Sequence, residues 1–295
     1  MELSVVIPNF NGAERLKECI PALLKAIQHS KISAEIIIVD DGSTDPSVSL
    51  IRNSYSSIKL IEHKLNKGFI PSVNDGVCAC SYEIVVLLNN DVIVHEDVFD
   101  TLEQDFTPST VFGISFMSLN NEGRFREGLK KAPFRLGFYK IKHGIQDQPD
   151  NLSRVHETFY AVGGHCAIRR SVFLEIGGLD PLFAPFYWED LDLSFRAKKM
   201  GYKILYDPRC IVVHNEIGTI KTHYASNYIK RIKERNRLLF HWKNLKNKPF
   251  YLIQHVFFVL LRLTTGIFLL DIDFYAGFYL ALRARLQHSV HFGKP

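Results

Sequence analysis

Three uninterrupted apolar runs, each stopped by an acid or an amide, constrain this chain more than any other feature. They are "LSVVIP" at 3–8, ended by Asn9; "AEIIIVDDGSTD" at 34–45, where the run meets Asp40 and Asp41; and "EIVVLLNND" at 83–91, which closes on Asn89, Asn90 and Asp91. A strand without polar alternation has both faces covered, as in parallel sheets with helices on either side. The intervening segments supply those helices. "GAERLKECIPALLKAI" (12–27) carries apolar residues three and four apart, interrupted by Pro21, and "IPSVNDGVCAC" (70–80) is helix-compatible, while "SIKLIEH" (57–63) reads as a shorter strand. The alternation predicts an α/β fold, a Rossmann-like, doubly wound and mainly parallel sheet flanked by helices.

The period dissolves from 116 to 158 into Gly, Asn, Lys and Pro, which predicts an irregular or hairpin-containing insertion over one edge of the site. Order returns with "TFYAVGGHCAIRRSVFLEIGGLD" (158–180), an acidic helix starting near Trp188, and short strands "KILYD" (203–207) and "CIVVH" (210–214); beyond 222 the chain reads as helical. With 295 residues, 46% of them apolar, it can bury a sizeable core. The N-terminus "MELSVVIPNF" has an acid at position 2 and no basic leader, so it reads as a buried strand and the catalytic part is expected in the cytoplasm. Five cysteines without a CxxC pair read as reduced packing residues.

In an open parallel sheet the ligand crevice lies at the carboxyl ends of the strands, which singles out Pro8, Asn9, Asp40, Asp41, Asn89, Asn90 and Asp91. Asp41, ahead of Gly42, is placed to accept hydrogen bonds from a base or sugar; the alternative is an Asx turn with Ser43 and Thr44. Asp91 with its amide neighbours suits a hard divalent cation that shares its oxygen ligands with substrate phosphates, and His214 would join it if the fold returns it there. Neither GxGxxG nor GxxxxGK[ST] occurs, which counts against a dinucleotide oxidoreductase or a P-loop enzyme. "PFYWEDLDLSFRAKKMGY" (185–202) sets Glu189, Asp190 and Asp192 behind a cluster of rings. Acids suit a helix N-terminus, but a carboxylate beside Tyr187 and Trp188 would also have the raised pKa that makes a useful base. Asp192 is spaced to pair with Arg196.

Taken in order, "LSVVIPNFNG", "IIIVDDGSTD", "NKGFIPSVNDG", "VVLLNND", "GGLDPLFAPFYWEDLDLSFRAKKMGYK" and "VVH" resemble the family 2 glycosyltransferases, in particular their rhamnosyltransferase-like branch, over about residues 3–240. The resemblance implies a GT-A fold with a helical C-terminal extension. Residues 1–115 would be the nucleotide-sugar-binding half, 116–220 the acceptor-binding and catalytic half, and 221–295 a membrane-association region. It implies inverting transfer from a nucleotide diphosphate sugar, dTDP-rhamnose or a UDP-sugar, to a hydroxyl of a lipid-linked or cell-surface glycan, as in bacterial polysaccharide biosynthesis. Asp41 would hold the base, with Pro8, Asn9 and Asn90 lining its pocket and Lys67, Gly68 and Asn74 near the nucleotide. Asp91 and His214 would bind Mg2+ or Mn2+ across the diphosphate, and Asp190 would be the general base. Glu189 would orient it or bind the acceptor, together with Trp188, Tyr187, Gly164 and His165. The family's metal motif often has acids at both ends, whereas here it is Asn89, Asn90, Asp91, a single carboxylate that implies weaker cation binding. The QxxRW motif of processive synthases is missing, which favours addition of one or a few sugars.

Two other readings remain at this level. A receiver-type phosphoacceptor would also carry an acid pair at a strand end, but at its first strand, and a catalytically silent nucleotide-sugar-binding protein would keep the fold. The tail has a character of its own. Residues 221–295 hold 13 Lys plus Arg against three acids, leaving 23 against 28 for the rest. A basic stretch followed by aromatic-rich helices, one interrupted by Arg262, fits a peripheral protein on the anionic inner face of the plasma membrane; packing as a homodimer through these helices is the alternative. Nothing resembles a nucleic-acid motif.

Overall fold

The computed structural model describes residues 1–144, 153–214 and 224–292, so the boundary expected at 220/221 lies outside the described residues. Two compact units result: Met1–Lys131, His143–Asp180 and Asp190–Glu216 form one, and Ala132–Lys142, Pro181–Glu189 and Ile217–Pro295 the other. The two expected GT-A halves thus fall within a single sheet-bearing unit. The second unit takes in two excursions, 132–142 and 181–189, besides the C-terminal helices.

The three apolar runs become β1 (Glu2–Asn9), β2 (Ser33–Asp40) and β4 (Ile84–Leu88), with β3 (Lys59–Glu62) at one edge; β1 pairs in parallel with both β2 and β4, and β2 with β3. Parallel strands need crossovers, provided by α1 (Ala13–Ser30), α2 (Ser47–Ser54) and α3 (Phe69–Cys78). Pro21 does not interrupt α1. It lies on the exposed face, while Leu16, Ile20 and Leu23 are fully buried on the other, each contributing about 1.5–3 kcal/mol against the ~3 kcal/mol cost of an interior proline.

The second half of the sheet is mixed. After β5 (Val92–Val94) and α4 (Leu102–Asp105) come β6 (Val111–Leu119), β7 (Phe125–Glu127), β8 (His156–Glu157) and β9 (His165–Arg169). Then follow α5 (Arg170–Glu175), α6 (Glu189–Lys199) and β10 (Lys203–His214). The path runs β8-β10-β6-β9-β4-β1-β2-β3, with β5 on β10 and β7 on β6; β9 is antiparallel to both neighbours. The two short strands expected at 203–207 and 210–214 are one strand. A register shift between Asp207 and Ile211 absorbs Pro208, which lacks a ladder donor. Four cysteines are buried as expected, but Cys78, at the end of α3, is exposed and is not a packing residue.

The second unit is built on α7 (Ser226–Asn244), α8 (Pro249–Phe268) and α9 (Ile272–Phe292). Buried histidines organise it. His241 donates from Nδ1 to the Arg237 carbonyl, accepts the Tyr139 N–H at 2.8 Å through Nε2, and stacks on His255 at 5.0 Å. His255 donates from Nδ1 to the Gly137 carbonyl.

Candidate active site

The parallel strand ends are knit together before any ligand arrives. Buried Asn9 donates to Asp40 at 2.9 Å and accepts from Asn90 at 2.8 Å, so one amide joins the ends of β1, β2 and β4. Asp41 is also buried, and its carboxylate accepts the Lys67 and Gly68 N–H groups at 2.8 and 2.7 Å and pairs with His63 Nδ1 at 2.7 Å. Three internal contacts make Asp41 the anchor of the 63–68 turn, where Gly68 takes φ +92°. The Lys67 ammonium is exposed, 3.6 Å from Asp75. Asn74 accepts the Leu179 N–H and donates to its carbonyl, a staple between α3 and the turn after α5.

The β5–β10 pairing sets His214 opposite Val92, and this register brings His214 Nε2 to 3.4 Å from Asp91 Oδ1. On the other side of the ring, Nδ1 lies 4.0 Å from Glu127 Oε1. His165, at the start of β9, completes the group, with its ring 5.9 Å from that of His214. One ligand atom each of Glu127, His165 and His214 lie within 4.8 Å of one another. Asp91 Oδ1, His214 Nδ1 and both nitrogens of His165 are buried without a hydrogen-bond partner among the described residues. Burial pushes His165 down to about 4, so it is a neutral imidazole at pH 7. Burial works to raise the Glu127 carboxyl, but His165, Lys130 and His214 hold it down at about 2; His214 and Arg15 likewise outweigh burial at Asp91 and keep it ionised. Two imidazoles and the Asp91 carboxylate with orphaned ligand atoms, beside the Glu127 carboxylate that Lys130 holds, fit a divalent cation.

His165, expected to meet the acceptor, is fully buried, with its ring beside that of His214. Glu127 was missed altogether. It sits on a three-residue strand inside the unpatterned 116–158 stretch, and only its pairing through Ser118 of β6 delivers it to the site.

Asp190, near the N-terminus of α6, accepts the Gly163 N–H at 3.2 Å and the Leu191 N–H at 2.7 Å. Burial pushes its carboxyl up to about 6 despite these two donors, with the Glu127 charge adding to the rise. Glycines make the approach feasible. A Cβ on Gly163 would lie 3.3 Å from the Asp190 Cβ, and one on Gly164 only 2.6 Å from the Asn89 amide. Asp192 is fully buried and takes Arg196 Nε at 2.7 Å, the expected pairing.

Tyr187, Trp188 and Glu189 belong to the second unit. Trp188 packs on Phe240 at 5.2 Å, and Tyr187 lies under the Lys233 ammonium at 4.5 Å. Both aromatics have positive φ, 71° and 77°, a left-handed stretch costing about 1–3 kcal/mol per residue. Asn236, fully buried on α7, holds that turn by donating to the carbonyls of Phe183, Phe186 and Tyr187 at 2.7, 3.0 and 2.9 Å.

Known proteins resemble this chain in fold and in sequence. A crystal structure described as GalNAc-T7 with UDP, GalNAc and Mn2+ superposes with a TM-score of 0.62 at 17% identity, covering 81% of this chain and 47% of that one, and the shared fold is GT-A. Among curated proteins, the pre-mycofactocin glycosyltransferase of Mycobacterium tuberculosis is 25% identical over 218 residues, 72% of this chain and 43% of that protein. The poly-beta-1,6-N-acetyl-D-glucosamine synthase of Staphylococcus epidermidis is 21% identical over 215 residues, 71% of this chain and 48% of its own length. The chain therefore spans less than half the length of these relatives. The profile of glycosyl transferase family 2 matches residues 4–177, short of Asp190 and His214. Because that match takes in the ends of β1, β2 and β4 and more than half of the 295 residues, the chain belongs to glycosyl transferase family 2.

Proposed function

We propose that this protein is an inverting glycosyltransferase that moves one sugar from a nucleotide diphosphate donor, dTDP-rhamnose or a UDP-sugar, to a hydroxyl of a lipid-linked or cell-surface glycan. The observation that carries the reading is Asp190, a carboxyl lifted to about 6 and held by the Gly163 amide one residue from the Gly164–Asn89 contact. Inversion requires the acceptor hydroxyl to attack opposite the departing diphosphate, and a carboxylate that titrates just below neutrality is available to take its proton. Asp91, His214, His165 and Glu127 would hold a divalent cation, and their two imidazoles suit Mn2+ better than Mg2+, which prefers oxygen ligands. Once bound, the cation supplies Lewis-acid stabilisation of the leaving diphosphate. Asp41 contributes by fixing the Lys67–Gly68 backbone beside the nucleotide.

The reading includes peripheral attachment to the inner face of the plasma membrane. Arg262, the residue that interrupts the apolar run of α8, turns inward and pairs with Asp271 at 2.7 Å and Glu234 at 3.2 Å. What remains outside is a ridge of exposed Phe250, Ile253, Phe257, Leu260 and Ile267, spaced by three or four or by a multiple of a turn. Helix α8 has 20 residues, long and apolar enough to cross a membrane by length and composition, but its inner face carries Arg262 and His255, which favours lying in the interface. Incubation of the full chain with each donor and an acceptor panel, followed by determination of the anomeric configuration of the product, tests the proposal. A retained configuration, or donor hydrolysis alone with every acceptor, would overturn it.

A further inference from the structure

A cavity of about 410 Å³ opens within the second unit, and neither the transfer chemistry nor the resemblance accounts for it. Its walls include Leu136, Phe138 and Lys140 from the 132–142 excursion, Arg237 from α7, and Leu261 and Arg262 from α8. Three cations line it, and among the described residues only Glu234 and Asp271 pair with them. Arg262 pairs with both acids and Arg237 shares Glu234, which leaves one positive charge over. Arg237 Nε is buried without a hydrogen-bond partner among the described residues, so its guanidinium is not fully satisfied. The Lys140 ammonium stands 5.5 Å over the Phe138 ring, where burial and the charges of Arg237 and Arg262 lower its pKa. An oxyanion answers the surplus charge, since it accepts from the Lys140 ammonium and neutralises it. The apolar walls do not end at the cavity. Leu136 is 61% exposed and Leu261 44%, and the latter continues into the Phe257–Leu260 ridge of α8.

We propose that this cavity binds the phosphate headgroup of a lipid, with the phosphate between Lys140 and Arg237 and the hydrocarbon along Leu136, Leu261 and the α8 ridge. The inference deepens the membrane reading above and rests on it for the source of the ligand. The test is calorimetry of the full chain with monomeric dihexanoyl phosphatidic acid and, separately, inorganic phosphate. The lipid phosphate should bind, and inorganic phosphate should bind about tenfold or more weakly because it lacks the apolar contacts. Lys140→Gln, at a half-buried position, should weaken the lipid phosphate about tenfold or more while leaving the melting temperature unchanged, and Arg237→Lys should weaken it further. No binding of the lipid phosphate, equal affinity for both ligands, or undiminished binding by Lys140→Gln overturns the site. Because the probe is monomeric, retained binding of it alongside absent vesicle binding would sink the membrane reading and spare the pocket.

Discussion

At the scale of single residues the decisive quantity is where each carboxyl titrates. In the proposed role Asp190 must be ionised to take a proton, and burial moves that transition up to about 6, so kcat/KM should rise as pH increases through this value and level off above it. A profile flat from pH 5 to pH 7 would assign the base elsewhere. Asp190→Asn keeps the shape and the Gly163 contact but cannot take the proton; transfer should fall by about 10² to 10⁴ while donor affinity, read by calorimetry, changes little. The proposed cation ligands can be tested apart from catalysis. Titration of Mn2+ alone should show weaker binding in Asp91→Asn and His214→Ala, and a comparable loss in His165→Ala; unchanged Mn2+ affinity in the last variant would confine the site to Asp91 and His214.

At the scale of elements, two anchors hold segments that local propensity would not. Asp41→Ala leaves the Lys67 and Gly68 amides and His63 without their shared acceptor, so about 3 kcal/mol of stability should go, most visibly as faster amide exchange at 63–68. Asn236→Ala removes the donor to three buried carbonyls and releases a turn in which Tyr187 and Trp188 already sit at positive φ. The expected loss is about 2–3 kcal/mol in thermal unfolding, together with a lower kcat, because the next residues in the chain are Glu189 and Asp190. A variant that melts as the wild type does would show that the aromatics hold the turn unaided.

At the scale of the whole molecule the charge is divided, with the basic excess in the C-terminal region and an acidic remainder. The full chain should sediment with anionic vesicles at low salt and much less at high salt, since attraction of about 1 kcal/mol per basic residue is screened within a Debye length. Neutral vesicles should recover a smaller fraction through the α8 ridge, and Phe257→Asp with Leu260→Asp should abolish that fraction. Equal sedimentation of this double variant would make the ridge a packing or dimerisation surface.

The strand ends were legible in the sequence because a parallel strand buried on both faces is a continuous apolar run, and its stop is the crevice: Asn9, Asp40, Asp41 and Asp91 needed no tertiary information to be located. The Asp192–Arg196 pair was legible too, since a helix places residues four apart on one face. What those residues touch was decided only by the fold. The carboxylate of Asp41 turns to its own loop, the amide of Asn74 to the backbone of Leu179, and Arg262 away from the face it interrupts, because each contact joins positions 9 to 105 residues apart that no local period encodes. The proposed cation ligands make the same point. Glu127, His165 and His214 come from three strands whose pairing depends on β9 running antiparallel between β4 and β6 and on β10 carrying a shift of register, and such pairings are set by packing of the whole sheet rather than by any stretch of the chain.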